Sequence, residues 1–376
     1  MTRTFPSSCL FAISIALIGG TACAESPPRG ASSEFETDFS RHSIPYNEIL
    51  TGGPPKDGIP AIDHPASLSV DDADDWLKAK EGVVVYKQDE DVRAYPLQVL
   101  MWHELVNDRI GDHPVTVSYC PLCNTAIAYD GRVGDRELTF GTTGRLRYSN
   151  MVMYDRETET WWQQADGKAI VGKLLGETLT MLPAPILSWE KFKSHYPSGK
   201  VLSKNTGHRR DYGRNPYQGY DNLQSEPFLY QGPETDGTLQ SMTRIIAVEH
   251  GAGATAYPFG ILRENHVIND VVEGLPVALF WQTGAASALD KGSVASGRDI
   301  GMVTSYDRRV DDRTLNFERS GDGFIDRETG TTWNLYGEAT EGTLKGQTLP
   351  PVVHINHFWF SYYAFRPDAH VYTMPK

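Results

Sequence analysis

The chain has 376 residues, enough for two domains of ordinary size, and its 22% charged and 40% hydrophobic content fits neither a disordered chain nor a bundle of membrane helices. Thirty-five Lys and Arg against 48 Asp and Glu leave a formal charge of −13, which repels phosphate backbones, so no nucleic acid is expected as a partner.

Arg3 precedes an apolar run from Leu10 to Ile18, then small residues, then Glu25, Ser26, Pro27 and Pro28. This is the pattern of a signal peptide, too short to span a bilayer as a mature helix. Two cleavage readings compete. Gly20-Thr21-Ala22-Cys23 resembles a lipoprotein box that would place a lipid on Cys23, and Ala22-Cys23-Ala24 satisfies a small-x-small peptidase site. Both predict export, as a periplasmic or cell-envelope lipoprotein in the first case and as a secreted protein in the second. Membrane attachment would come only through Cys23. Residues 1–23 are thus assigned to the signal, 24–45 to a flexible tether rich in Ser, Pro and Gly, and 46–70 to an ordered strap. The strap carries Gly52-Gly53-Pro54-Pro55-Lys56-Asp57-Gly58-Ile59-Pro60 but not the strand and helix that flank a phosphate loop.

Beyond it, Val83 to Tyr86 and Val92 to Tyr95 read as a strand pair around the polar turn Lys87 to Asp91. Pro96 suits the first turn of a helix whose apolar face is Leu97, Leu100, Met101, Leu105 and Val106. Val115, Val117 and Tyr119 alternate with Thr116, Ser118 and Cys120, the period of a half-buried strand. Short strands follow around Ile127 to Tyr129, Leu138 to Phe140, Met151 to Tyr154, Trp161 to Gln164 and Leu179 to Leu182, and Ser188 reads as the N-cap of a helix through His195.

Much of this recurs. Ala94-Tyr95-Pro96 returns as Ala256-Tyr257-Pro258, Val106-Asn107-Asp108 as Ile268-Asn269-Asp270, and Asp155-Arg156-Glu157-Thr158 with Trp162 as Asp326-Arg327-Glu328-Thr329 with Trp333. Residues 71–203 and 241–376 therefore read as two copies joined by a linker, 204–240. The expected fold is α+β: a tandem duplication of a β-rich unit, with mainly antiparallel sheets open to barrel closure, a few short helices and a pseudo-two-fold relation between copies.

Of four cysteines, Cys9 and Cys23 fall in or at the edge of the signal, which leaves Cys120-Pro121-Leu122-Cys123 in the body. At the end of a strand such a pair reads as a reactive dithiol or disulfide, half of a metal site, or a local staple. A thioredoxin-type arrangement is disfavoured, because Ile127-Ala128-Tyr129 looks like another strand where a long helix would have to begin. The second copy holds Gln282 and Ala285 at the cysteine positions and Asn265 where the first holds His103. That joint absence is what one shared site would produce. Two thiolates are soft donors that suit copper or zinc, and each metal needs at least one further donor. The metal candidates are Cys120, Cys123 and His103, with Glu104 as a partner that orients the imidazole. The same residues are the candidates for catalysis, and Met151 and Met153 read as core. In the linker, Arg209, Arg210, Asp211, Tyr212, Arg214 and Tyr217 form a run suited to a small anionic or planar ligand, or to bracing the two copies through their surplus carboxylates. No dinucleotide fingerprint, GxSxG, HExxH or EF-hand loop stands in its proper context, so no nucleotide cofactor is expected.

Taken together, the Gly52 to Pro60 run, Ala94-Tyr95-Pro96, Trp102-His103-Glu104, Val106-Asn107-Asp108, Tyr119-Cys120-Pro121-Leu122-Cys123-Asn124, Met153-Tyr154-Asp155-Arg156-Glu157-Thr158 and Arg210-Asp211-Tyr212-Gly213-Arg214-Asn215-Pro216-Tyr217 resemble the exported prokaryotic family catalogued as domain of unknown function 3179. The resemblance spans nearly the whole mature chain and implies that these motifs are family features; it supplies membership more than mechanism. The leading expectation is an exported, lipid-anchored protein that binds a soft metal, copper foremost, for metal handling or redox use. The alternatives are a thiol-dependent enzyme with His103 as base and a binding module with a structural disulfide.

Overall fold

The structure is a computed structural model that describes Met1 and residues 25–374; residues 2–24, which hold Cys23 and the rest of the segment expected to be a signal peptide, lie outside the described residues. It is β-rich, with few short helices and mostly antiparallel sheets. Among the described residues two strand pairings are parallel, Lys200–Leu202 beside Asp91–Pro96 and His370–Val371 beside Gly253–Pro258, and Ile62 bridges Val106 in the same sense.

The order of elements from 82 to 130 is a hairpin, Gly82–Gln88 with Asp91–Pro96, then the helix Leu97–His103, then the antiparallel strands Leu105–Ile110, His113–Cys120 and Thr125–Asp130. From 244 to 307 the same order appears as Arg244–His250 with Gly253–Pro258, the helix Phe259–Asn265, and the strands Val267–Val272, Leu275–Gln282 and Met302–Asp307.

The recurring motifs have physical reasons. The Tyr95 hydroxyl donates to Asp108 (2.7 Å) and that of Tyr257 to Asp270 (2.8 Å), tying each hairpin to the strand after its helix. Asn107 presents its amide to Phe140 as a strand would, donating to the carbonyl at 2.8 Å and accepting the N–H at 2.9 Å; Asn269 does the same for Phe317. Asp155 is buried because its carboxylate accepts from the Thr158 N–H and hydroxyl and the Trp162 indole, and Asp326 is satisfied likewise by Thr329 and Trp333.

Three expectations need correction. The helix after Pro96 ends at His103, and Leu105 and Val106 open a strand, because Glu104 takes φ 60° and turns the chain out of the helix. The strand Val115 to Cys120 is buried on both faces. Its polar side chains tolerate this through hydrogen bonds, Thr116 donating to the Asn107 side chain (3.0 Å) and Ser118 to the Ile127 carbonyl (2.9 Å). Finally, the segment expected to be a loose tether packs from Ala31 onward: Phe35 and Phe39 set their rings edge-on against Trp161, at 5.1 and 5.3 Å. Asp57 donates its N–H to Thr142 and Ile62 to Leu105, so residues 52–62 cross the first half on backbone hydrogen bonds.

Ser188 caps the helix Trp189–His195, its side chain accepting the Lys191 N–H at 3.3 Å. Ser188→Ala is expected to cost about 1 kcal/mol, read as a lower urea midpoint with an unchanged slope.

Candidate functional site

Cys120 is the last residue of its strand, and Pro121 to Asn124 form the turn to Thr125. Cys123 donates its N–H to the Cys120 carbonyl (3.2 Å) and Asn124 takes a left-handed φ of 53°, which folds the loop back and sets the two sulfurs side by side. Both cysteines are free and buried. Cys120 donates to the Ser149 carbonyl at 3.7 Å. Ser149 belongs to a two-residue turn, Tyr148 and Ser149, both left-handed as hairpin geometry demands.

The walls come from distant parts of the chain. Phe358 donates its N–H to the Cys123 carbonyl (2.9 Å), and the next residue in the loop's exit strand, Thr125, meets His357 Nδ1 at 2.8 Å. From the linker, Phe228 accepts the Ser149 hydroxyl, and Tyr220 accepts the Phe228 N–H at 3.1 Å. A cleft of about 380 Å³ lies between Leu122 and the segment Pro216 to Tyr220.

Glu104 is the charged group of this interior. It is 9% exposed, and its carboxyl has no hydrogen-bond partner among the described side chains and backbone groups. Burial alone pushes its pKa up to about 8, so at neutral pH it is mainly the acid. Burial likewise raises the Cys120 thiol well above its ordinary value, with Cys123 and then Glu104 adding to it. Tyr217 is raised first by burial and then by Glu104 and Cys120, which places all three in one neighbourhood. The Tyr119 hydroxyl is also buried without a partner among the described residues. Two thiols, an acid and two phenols therefore converge under the linker with few hydrogen bonds among them.

His103 is elsewhere. The ring is fully buried, donates from Nδ1 to the Pro60 carbonyl (2.7 Å) and accepts at Nε2 from the Tyr212 hydroxyl (2.6 Å), which in turn accepts from Thr206 (2.6 Å). Burial lowers its pKa to about 4, so the imidazole is neutral. Among the described residues no three His, Cys, Asp or Glu side chains are placed to hold a metal ion. Of the candidates Cys120, Cys123 and His103, the two cysteines stand together, while both ring nitrogens of His103 are engaged by Pro60 and Tyr212. Glu104 does not orient the imidazole; it stands on the cysteine side instead.

The linker run divides in the same way. Tyr212 serves His103 and Tyr217 covers the cysteine corner, whereas Arg209 and Arg210 are exposed and Arg214 reaches only Asp211, at 3.8 Å. The linker does brace the second half, but not through those arginines. Asn215 donates to Gly292, Val294 donates to Gly213, and Gly219 donates to Asp290. Asp221, with a fully buried side chain, pairs with Arg244 (2.7 Å) and Arg298 (2.8 Å) and accepts from the Ser287 hydroxyl. Sequence reading missed Asp221 and Arg244, since nothing local distinguishes one Asp and one Arg that meet across 23 residues.

The family model described as a protein of unknown function, DUF3179, matches residues 56–369, and the chain belongs to that family. Neither a curated protein nor a solved structure matches it.

Proposed function

We propose that this member of the DUF3179 family is an exported thiol–disulfide redox protein, lipid-anchored through Cys23, in which Cys120 and Cys123 exchange two electrons with a partner disulfide and Glu104 moves the proton. The observation that carries this reading is the unpartnered, raised carboxyl of Glu104 beside two adjacent thiols. The ionised form of a carboxyl that titrates near 8, a minority at neutral pH that grows as pH rises, can take a thiol proton and the acid can return it, which neither an ordinary surface Glu nor the committed ring of His103 does.

In the oxidative direction, Glu104 accepts the proton of one cysteine, and the thiolate attacks a sulfur of the partner disulfide. A mixed disulfide forms, and one partner thiolate leaves and is protonated. The second cysteine then gives its proton to the ionised Glu104, attacks the mixed disulfide and releases the second partner thiolate, which takes that proton. One S–S bond and two S–H bonds are broken and the same number made. The dithiol is oxidised by two electrons and the partner reduced by two. Access to the sulfurs requires the Pro216 to Tyr220 segment to yield at the cleft.

The first half would be the working copy of a tandem duplication, with residues 71–203 holding the site and 241–376 forming a scaffold related to it by a pseudo-two-fold. The matched order of hairpin, helix and three strands supports this.

The test is oxidation of the full mature chain by glutathione buffers of graded poise, followed by alkylation and mass spectrometry. A reversible two-electron step confined to Cys120 and Cys123 is expected, and no change in their alkylation at any poise overturns the reading. Copper retained in a cysteine-dependent manner, without that step, would favour the soft-metal reading with two thiolates as donors. The mature N-terminus decides the anchor: a lipid-bearing Cys23 supports it, and an unmodified Glu25 start removes it.

A further inference from the structure

The second half carries a cleft of about 290 Å³ at the corner that matches the cysteine site in element order. His266 follows its helix as Glu104 follows its own, at φ 63° and 60°, and Trp281-Gln282 end their strand as Tyr119-Cys120 end theirs. The first corner is covered by the linker, whereas this one is open to solvent. We propose that it is a binding site for a small organic carboxylate, held by Arg319 and Lys191 against the aromatic wall of Trp281 and Phe324.

Arg319 is aimed by its neighbours. It donates from Nη1 to His266 Nε2 (2.7 Å) and from Nε to the Gly321 carbonyl (3.2 Å), which fixes the guanidinium plane and leaves Nη2 without a partner among the described residues. His266 can accept because the imidazole is neutral: burial first and the Arg319 charge second hold its pKa below the usual range. Lys191 enters from the helix Trp189–His195 of the first half, anchored at its carbonyl by the Tyr336 hydroxyl (2.6 Å). Among the described residues neither cation has a carboxylate within 4.0 Å, although the chain carries an acidic excess of 13. One carboxylate, Asp322, also lines the cleft, so two positive charges face one negative. Its backbone carbonyl is taken by the Gln282 amide.

Trp281 and Phe324 are 5% and 1% exposed, so the wall is apolar and set in the core. Gly301, at φ 76°, lies against the indole, where any side chain would collide with the ring. A planar fork and a lysine that line one cleft suit a carboxylate, and the wall suits an organic body. Because Lys191 and Arg319 come from different halves, the occupant would bridge them.

Benzoate is the probe, titrated calorimetrically into the full chain at low salt, with benzylamine as the cationic counterpart. Saturable one-to-one benzoate binding is expected, weakened about tenfold by Arg319→Gln and about tenfold by Lys191→Gln. The Trp281 indole resonance is expected to shift on binding. Lys191→Gln leaves the His266 pair intact, so a folding defect in Arg319→Gln would not spare the idea. No saturable benzoate binding at millimolar concentration, equal affinity in wild type and both variants, or binding of benzylamine in preference to benzoate overturns the proposal.

Discussion

Asp221→Asn is expected to destabilise the protein by about 3–5 kcal/mol, the cost of removing one partner from a buried ion pair. Asp221 has no exposed side-chain surface and Arg244 only 8%, so the change leaves the Arg244 guanidinium buried beside a neutral amide. Arg298 is nearly half exposed and contributes less, since water can replace its partner. The paired cations and the Ser287 hydroxyl hold the Asp221 carboxyl below its ordinary value despite burial. A carboxylate with a depressed folded pKa stabilises fully above its unfolded value, near 4, and loses that contribution as pH falls through the folded one. The deficit of the variant in urea unfolding is therefore expected to be constant from pH 8 to about 5 and to shrink below about 4. Asp221 also pins the linker that covers the cysteines, so the variant should expose Cys120 and Cys123 to alkylation faster than wild type. Equal unfolding curves at pH 7 would show that Asp221 does not hold the linker.

Glu104→Gln is expected to act in the opposite direction. The carboxyl goes from about 4.5 in the unfolded chain to about 8 in the fold. With the folded value raised, the native state binds more protons between these limits, so wild-type stability falls as pH climbs from about 4.5 and levels off above about 8. Gln carries no charge to bury. The variant should match wild type near pH 4.5 and exceed it by on the order of 5 kcal/mol at pH 9. Parallel stability profiles for the two proteins would show that Glu104 is not buried as an acid. The same substitution is expected to slow oxidation by a small disulfide on the order of 10²-fold and to erase the inflection near pH 8 in its rate profile. A stability gain coupled to a loss of rate is the pattern of a group kept for chemistry at the expense of the fold. A rate profile identical to wild type would remove the proton-transfer role.

Local structure was read well where the physics is local. Pro96 opens its helix and Ser188 caps the next, because first-turn and cap preferences depend on a few adjacent residues. Met151 and Met153 are buried, as alternation with Val152 indicated. The reading failed where a helix and a strand share an apolar run: Leu105 and Val106 continue the helical spacing, and only the left-handed Glu104 ends it. A non-glycine residue in that conformation has no distinct signature in sequence.

The cysteine pair and its position at a strand end followed from residue type and spacing alone, which also singled out Trp102-His103-Glu104. Which member of that tripeptide meets the sulfurs did not. His103 closes a helix and Glu104 turns the backbone over, so adjacent side chains enter different surroundings, one held by Pro60 and Tyr212 and the other buried beside Cys120. Those surroundings are built from the strap, the linker and the strand at 354–358, segments joined by hydrogen bonds over tens to hundreds of residues. Spacing along the chain encodes how a residue sits on its own helix or strand, and the packing of remote segments sets the dielectric and the partners that make one acid neutral and one imidazole inert.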